Sequence, residues 1–339
     1  MTTAVSFGTV HLDDEARRRQ LLEIESRLRE HPFPPQLVVE NTSHCNLRCV
    51  HCSHREMTRP RRHMARALWD KIVDEVGRSS PETELWPTFY GEALILGDEL
   101  WDRLASATRA GCRNLVLNSN GTLLRRRDNI AKILASPLRR VILSLDGLSK
   151  EVFEQVRANA RWDEVYPAVE ALCRQRTASG LRYPVIVAQF SVMPQNQHEA
   201  APFAEYWRAR GAEVKVRPML EWTASGSVRS EAIRHDSEFR IACPWSHATM
   251  AVHQDGRVSA CAVDYDGGFI AGNLQTESIA VVWARLKTAM REPQREHRWA
   301  DLPDICKGCG DWQVAGADYD PESVDGTRPF WFYEERTRP

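Results

Sequence analysis

Residues 41–54 read NTSHCNLRCVHCSH and set Cys45, Cys49 and Cys52 within eight residues at the spacing C-x3-C-x2-C. Three soft thiolates on one short loop hold three corners of a metal or iron–sulfur unit and leave the fourth open. A structural zinc site fills all four positions with protein ligands, so a loop that supplies three invites an exogenous ligand. Immediately upstream, Leu37-Val38-Val39-Glu40-Asn41 reads as a short strand. Ligands at the carboxyl end of a first strand lie where α/β folds place their active sites.

Upstream of that strand, residues 11–30 carry Leu21, Leu22, Ile24 and Leu28 at helical spacing, and His31-Pro32-Phe33-Pro34-Pro35 stops the helix. Downstream, strand and helix alternate. Helices are expected over 64–76, 99–110, 125–134, 163–176 and 200–210. Strands are expected over 85–90, 114–117, 141–145, 184–192 and 214–218. With the first strand these make six, and the spacing predicts a parallel sheet with crossover helices.

After Glu221 the rhythm changes. Residues 222–242 are polar and read as a linker or loose cover, and a second module begins at Cys243. Segments 248–253 and 257–262 flank Asp255-Gly256, a hairpin signal that puts Cys243 and Cys261 near the two ends of one hairpin. A helix over 279–290 precedes Cys306 and Cys309, and the chain ends in the aromatic cluster Phe330-Trp331-Phe332-Tyr333. The reading divides the chain into an N-terminal helical extension (1–36), an α/β body (37–221), the linker, a cysteine module (243–320) and an aromatic tail (321–339).

Lys plus Arg number 45 and Asp plus Glu 46, a formal net charge of −1, which argues against a global nucleic-acid or anionic-membrane binder. Apolar residues make up 42%, as in a globular protein. The sequence shows no long apolar run of membrane-span type and no signal-peptide stretch, so a cytoplasmic, reducing location is the default and no membrane partner is expected. Nine cysteines, unevenly placed in a long chain, fit metal binding better than a disulfide scaffold. Cys112 and Cys173 stand apart and need be no more than small buried hydrophobes. The second group, Cys243, Cys261, Cys306 and Cys309, fits zinc or iron–sulfur by spacing alone. Several of the eleven tryptophans are expected around a cavity or a domain junction.

The loop Cys45-Asn-Leu-Arg-Cys49-Val-His-Cys52 resembles that of the radical S-adenosylmethionine (SAM) superfamily. The resemblance implies a partial (β/α)6 TIM-like barrel whose three thiolates hold a [4Fe–4S] cluster. Its unique iron chelates SAM, and the reduced cluster cleaves SAM to a 5′-deoxyadenosyl radical that abstracts hydrogen. His51 stands where the family usually has an aromatic residue and is expected to pack over the cluster. Tyr90-Gly91-Glu92-Ala93 resembles the family's GGEP-type turn, which implies that Glu92 contacts the methionine ammonium; Tyr90 and Ala93 depart from the motif. Asn118 is expected beside the cofactor, Ser144 and Asp146 on ribose or carboxylate, and Gln189 toward the adenosyl group or substrate.

The order cysteine, hairpin, cysteine, helix, C-x2-C resembles the shortened auxiliary-cluster module called twitch, a relative of the SPASM domain. It implies a small α+β domain with a second [4Fe–4S] cluster, held by four protein thiolates and serving electron transfer. A radical SAM core followed by one such cluster resembles the aminocyclitol and aminoglycoside dehydrogenases. That resemblance implies oxidation of a secondary alcohol on a sugar or aminocyclitol, with a flavodoxin- or ferredoxin-like electron donor. Arg217 is the candidate to stabilise alkoxide charge, and Glu221, His247 and His253 are candidate bases. Three other readings stand beside it. An epimerase would need Cys112 or Cys173 as hydrogen donor. A maturase of ribosomally made peptides often carries an N-terminal leader-recognition domain, and only 36 residues precede the strand at Leu37. A zinc-stabilised nucleic-acid binder would use the arginines at 55, 59, 61, 62 and 66.

Overall fold

A computed structural model describes residues 14–221, 230, 233–234 and 239–314. The aromatic tail and most of the linker lie outside the described residues. Helix α1 (Asp14–Arg27) precedes β1 (Gln36–Val39), the cysteine loop and α2 (Arg66–Ser79). Then follow β2 (Glu84–Trp86), α3 (Asp98–Ala110), β3 (Asn114–Ser119), α4 (Asn129–Ala135) and β4 (Leu138–Ser144). Helices α5 (Lys150–Val156) and α6 (Trp162–Ala178), β5 (Val185–Val192), α7 (Ala200–Arg208) and β6 (Glu213–Pro218) complete the body. The six strands pair in parallel in sequence order, as a partial (β/α)6 barrel requires.

The side chains obey the two-residue period of a strand. Leu37, Val39, Leu85, Leu117, Leu143, Ala188 and Val216 point outward into the main core beneath the helices. Their neighbours Val38, Trp86, Asn118, Ser144, Gln189, Lys215 and Arg217 point inward and line a cavity. Below that cavity Val116, Ile142, Val185 and Val187 close the barrel with an apolar plug.

The second strand is shorter than the expected 85–90. Pro87 has no N–H to give the ladder, so pairing stops at Trp86 and the chain turns toward Tyr90. Helix α5 was not expected from the sequence.

The C-terminal module comprises α8 (Pro244–Ala248), β7 (Thr249–Val252), β8 (Arg257–Ser259), β9 (Ile270–Asn273) and α9 (Ile279–Leu286). The hairpin forms as the Asp-Gly signal predicts, with Gly256 at φ 85°. Strand β9 extends it, and the helix expected to reach residue 290 gives way to a π-turn after Leu286. Strand β7 pairs in parallel with β1, Gln36 opposite Thr249, so the nine strands among the described residues form one continuous sheet. Helix α1 packs on this module: Leu21 and Ile24 meet Ile241 and Trp312, and Arg17 donates to Gln313 Oε1 at 2.7 Å. Trp86 and Trp245 line the cavity and Trp312 sits at that junction, whereas Trp69, Trp207 and Trp283 are core residues.

Candidate active site

The cysteine loop is held at its backbone. Arg48 N–H donates to Ala158 O at 2.9 Å and Val50 N–H to Val156 O at 3.0 Å, which pins the loop to the end of α5. Leu47 is buried, and Cys45, Cys49 and Cys52 all line one cavity of about 260 Å³. Burial pushes the Cys45 thiol up to about 11 and Cys52 to about 12, each also opposed by its neighbouring thiols. Crowded, desolvated thiols give up their protons only where a strong positive charge compensates, which is what iron supplies. No three of the described His, Cys, Asp and Glu side chains close on a single ion position. A cubane takes one thiolate per iron and needs no such convergence. The donor set, its burial and the adjoining cavity therefore fit a cluster with an open corner.

Tyr90-Gly91-Glu92 passes directly under this loop. A Cβ on Gly91 would lie 1.9 Å from Thr42 O and 2.9 Å from His44 O, so only glycine fits. Glu92 lines the cavity, yet its carboxylate already accepts from Leu94 N at 3.1 Å, Ser119 Oγ at 3.0 Å and Asn120 N at 2.7 Å. Burial raises its pKa against these three bonds. Glu92 thus fixes the turn as well as facing the ligand space.

Asn118, Ser144 and Gln189 form one hydrogen-bonded row across β3, β4 and β5. Gln189 Nε2 donates to Ser144 Oγ at 3.2 Å, and Ser144 Oγ donates to Asn118 Oδ1 at 3.2 Å. All three line the cavity, Asn118 and Ser144 at the carboxyl ends of β3 and β4 and Gln189 opposite Ser144 in the ladder.

Asp146, expected on ribose or carboxylate, faces the other way. It is fully buried and absent from the cavity lining; its Oδ1 accepts from Ser191 N at 2.7 Å. Its Oδ2 is ion-paired to Arg157 and lies 3.4 Å from His51 Nε2. His51 does line the cavity beside the cysteines, and burial, the dominant cause, lowers its imidazole to about 4, so it is neutral. Arg157, which the sequence did not single out, reaches from this pair to Cys49 Sγ at 3.5 Å.

Arg217 lines the cavity together with Lys215, one pleat away on β6. Glu221, His247 and His253 are buried and do not line it. Glu221 Oε1 accepts from Ser230 N at 2.9 Å, and His247 Nδ1 sits 3.1 Å from Cys243 O. Each of the three is turned into the protein and away from the cavity. Cys112 donates to Val73 O at 3.5 Å, and neither it nor Cys173 lines the cavity. Of the five arginines in the basic run, Arg59 is buried in an ion pair with Glu40.

The second cysteine group assembles beside the cavity, not in it. Burial first, then the like charges of Cys306, Cys309 and Cys243, raises the Cys261 thiol, so the four lie within electrostatic reach of one another. Cys309 N–H donates to Cys306 O at 3.3 Å in a tight C-x2-C turn. None of the four lines the cavity. Tyr90 spans the gap. It lines the cavity, its Oη donates to Ala262 O at 3.2 Å, and its phenol feels both Cys52 and Cys261. The sequence offered a signal for Tyr90, an aromatic residue in place of a motif glycine, but none for Arg157.

A three-thiol loop at the mouth of a parallel barrel and a four-thiol site on its edge define a radical SAM enzyme with an auxiliary iron–sulfur domain. Residues 39–190 match the radical SAM superfamily, and residues 243–310 match the SPASM iron–sulfur cluster-binding domain. The chain therefore takes SAM and a SAM-binding [4Fe–4S] cluster, and its SPASM domain implies auxiliary iron–sulfur binding. Mycofactocin maturase MftC of Mycolicibacterium smegmatis is 26% identical over 357 residues, covering 90% of this chain and 86% of that protein. Among solved structures, BtrN in complex with AdoMet and 2-DOIA superposes with a TM-score of 0.57 at 15% identity, covering 86% of this chain and 98% of that one. Streptococcus suis SuiB bound to precursor peptide SuiA gives 0.61 at 12% identity, covering 87% of this chain and 74% of that one. Among the described residues no helix is long and apolar enough to cross a membrane.

Proposed function

We propose that this enzyme carries out a two-electron oxidation of a carbinol carbon on a sugar, aminocyclitol or aminoglycoside, giving the ketone. The observation that supports it most is the division of labour among the cysteines: the first three line the cavity and the other four do not. Sulfur atoms of the second group that do not reach substrate serve electron transfer, not substrate ligation. When loaded and reduced, the SAM cluster supplies a 5′-deoxyadenosyl radical. In the proposed reaction the carbinol carbon would lose a hydrogen atom to that radical, the hydroxyl proton would pass to solvent water as the C=O bond forms, and a cluster held by Cys243, Cys261, Cys306 and Cys309 would accept the remaining electron.

Cys45, Cys49 and Cys52 would hold the first cluster; Cys243, Cys261, Cys306 and Cys309 would hold the second. The Asn118–Ser144–Gln189 row supplies polar groups for ribose or substrate hydroxyls. Arg217, with Lys215 beside it, stabilises developing alkoxide charge; as a guanidinium, Arg217 is a donor and not the base. A flavodoxin- or ferredoxin-like protein is the proposed source of the first electron.

A second reading, maturation of a ribosomally made peptide, is favoured by the similarity to the mycofactocin maturase along 90% of the chain. The test is incubation of reduced, reconstituted enzyme with SAM and a panel of aminoglycosides, aminocyclitols and short synthetic peptides, with products weighed by mass spectrometry. Loss of two hydrogens from a carbohydrate supports the oxidation. One deuterium gained from heavy water at otherwise unchanged mass indicates an epimerase instead. Modification of peptides alone replaces the carbohydrate reading with the peptide one.

A further inference from the structure

We propose that Arg157 and Asp146 act as an opposed pair that sets the reduction potential of the SAM-binding cluster, the cation raising it and the carboxylate limiting the rise. Arg157 Nη1 lies 3.5 Å from Cys49 Sγ, and its other arm is ion-paired to Asp146 Oδ2. Arg157 is 8% exposed and Asp146 fully buried, so solvent screens neither charge well. Asp146 is itself locked from behind. Ser191 N–H donates to Oδ1 at 2.7 Å, and Asn196 Nδ2 donates to Asp146 O at 2.9 Å. The order in space is thus thiolate, guanidinium, carboxylate, with the positive end toward the cluster.

Reducing a cluster adds one negative charge, and a fixed cation donating to a ligand sulfur stabilises that charge. Asp146 offsets part of the effect from one step further back. The pair also lies beside the ligand space, since Arg157 lines the cavity while Asp146 does not. A residue that only gripped SAM would leave the SAM-free cluster unchanged. The proposal rests on the SAM-binding cluster alone and stands whatever substrate the enzyme takes.

The test is an anaerobic redox titration of the reconstituted holoenzyme without SAM, followed by electron paramagnetic resonance. The component that shifts when SAM is added to a parallel sample identifies the first cluster, and the remaining signal serves as internal control. Arg157→Gln is expected to make reduction of the first cluster about tenfold less favourable, about 59 mV lower for one electron. Asp146→Asn is expected to raise the same midpoint, and the control signal stays in place in both variants. General loosening of the loop does not produce shifts of opposite sign. Midpoints that stay put, or that move in the same direction in both variants, overturn the proposal. Should Arg157→Gln fail to retain iron, Asp146→Asn decides: an unmoved or lowered midpoint overturns the proposal.

Discussion

Arg59 grips Glu40 with both terminal guanidinium nitrogens, each 2.6 Å from a carboxylate oxygen, and both side chains are buried. Glu40 directly follows β1 and Arg59 lies just beyond the cysteine loop, so the pair closes the loop at its base. The same guanidinium donates to Tyr265 O at 2.7 Å and Gln254 Oε1 at 2.6 Å, tying the loop to the C-terminal module. Removing one partner of a buried pair leaves the other charge without compensation. Arg59→Met is therefore expected to cost about 3–5 kcal/mol, and pairing it with Glu40→Gln should recover part of that loss. Urea midpoints of the anaerobic, reconstituted proteins measure both. A single-variant loss under about 1 kcal/mol, the scale of exposed pairs, would sink the argument.

Gly91→Ala tests the close approach of the Glu92 turn to the cysteine loop. The new methyl meets backbone oxygens of Thr42 and His44, not the end of a flexible side chain, so the loop must move. The first cluster should be lost while the second stays, taking iron from about eight to about four per chain. Full iron content in this variant would show that the loop accommodates the methyl.

His253 gives the fold an acid limb. Its ring is fully buried beside Phe89, neither nitrogen has a hydrogen-bond partner among the described residues, and burial lowers it to about 3 from 6.5. The folded protein keeps this imidazole neutral, while the unfolded chain binds a proton as pH falls below about 6.5. The unfolded state then holds more protons, so this stability is complete above pH 6.5 and is lost as pH falls toward about 3. By pH 5 the total loss from this one residue is about 2 kcal/mol. His253→Leu should flatten that stretch of the stability–pH curve. An unaltered slope would mean that His253 titrates normally in the folded state.

The parts of this fold legible in the sequence are those whose signal is local. The thiol spacing of 45–52, the individual strands and helices of the body and the Asp255-Gly256 turn are each read from a short window. Contacts between distant segments left no such trace. Thr249 meets Gln36 across 213 positions to join the hairpin to β1, and Arg157 reaches Cys49 across 108. Asp146 lies two residues beyond β4 with φ 57°, so its side chain leaves the inward row that Ser144 occupies. Strand period places Ser144 and Gln189 correctly but does not carry past that turn. Glu221, His247 and His253 have the chemistry of a base, but that they are buried away from the cavity is a placement no residue type reveals.

The two cysteine groups predict different failures, and the contrast tests the oxidation as a whole. Cys49 lines the cavity and is the thiol that Arg157 touches, so Cys49→Ser should remove the first cluster and abolish 5′-deoxyadenosine formation from SAM. Cys309 lies off the cavity in the four-thiol site, so its loss should leave SAM cleavage intact. Iron in Cys309→Ser is expected to fall from about eight to about four per chain. Reduced Cys309→Ser given SAM and a turned-over carbohydrate should still form 5′-deoxyadenosine and pull hydrogen from the substrate. It should not form the ketone, because the second electron has no acceptor. Deuterium placed on the carbinol carbon reports the abstraction in 5′-deoxyadenosine independently of product. If Cys309→Ser makes ketone at the wild-type ratio to 5′-deoxyadenosine, the auxiliary site is structural and the electron leaves by another route.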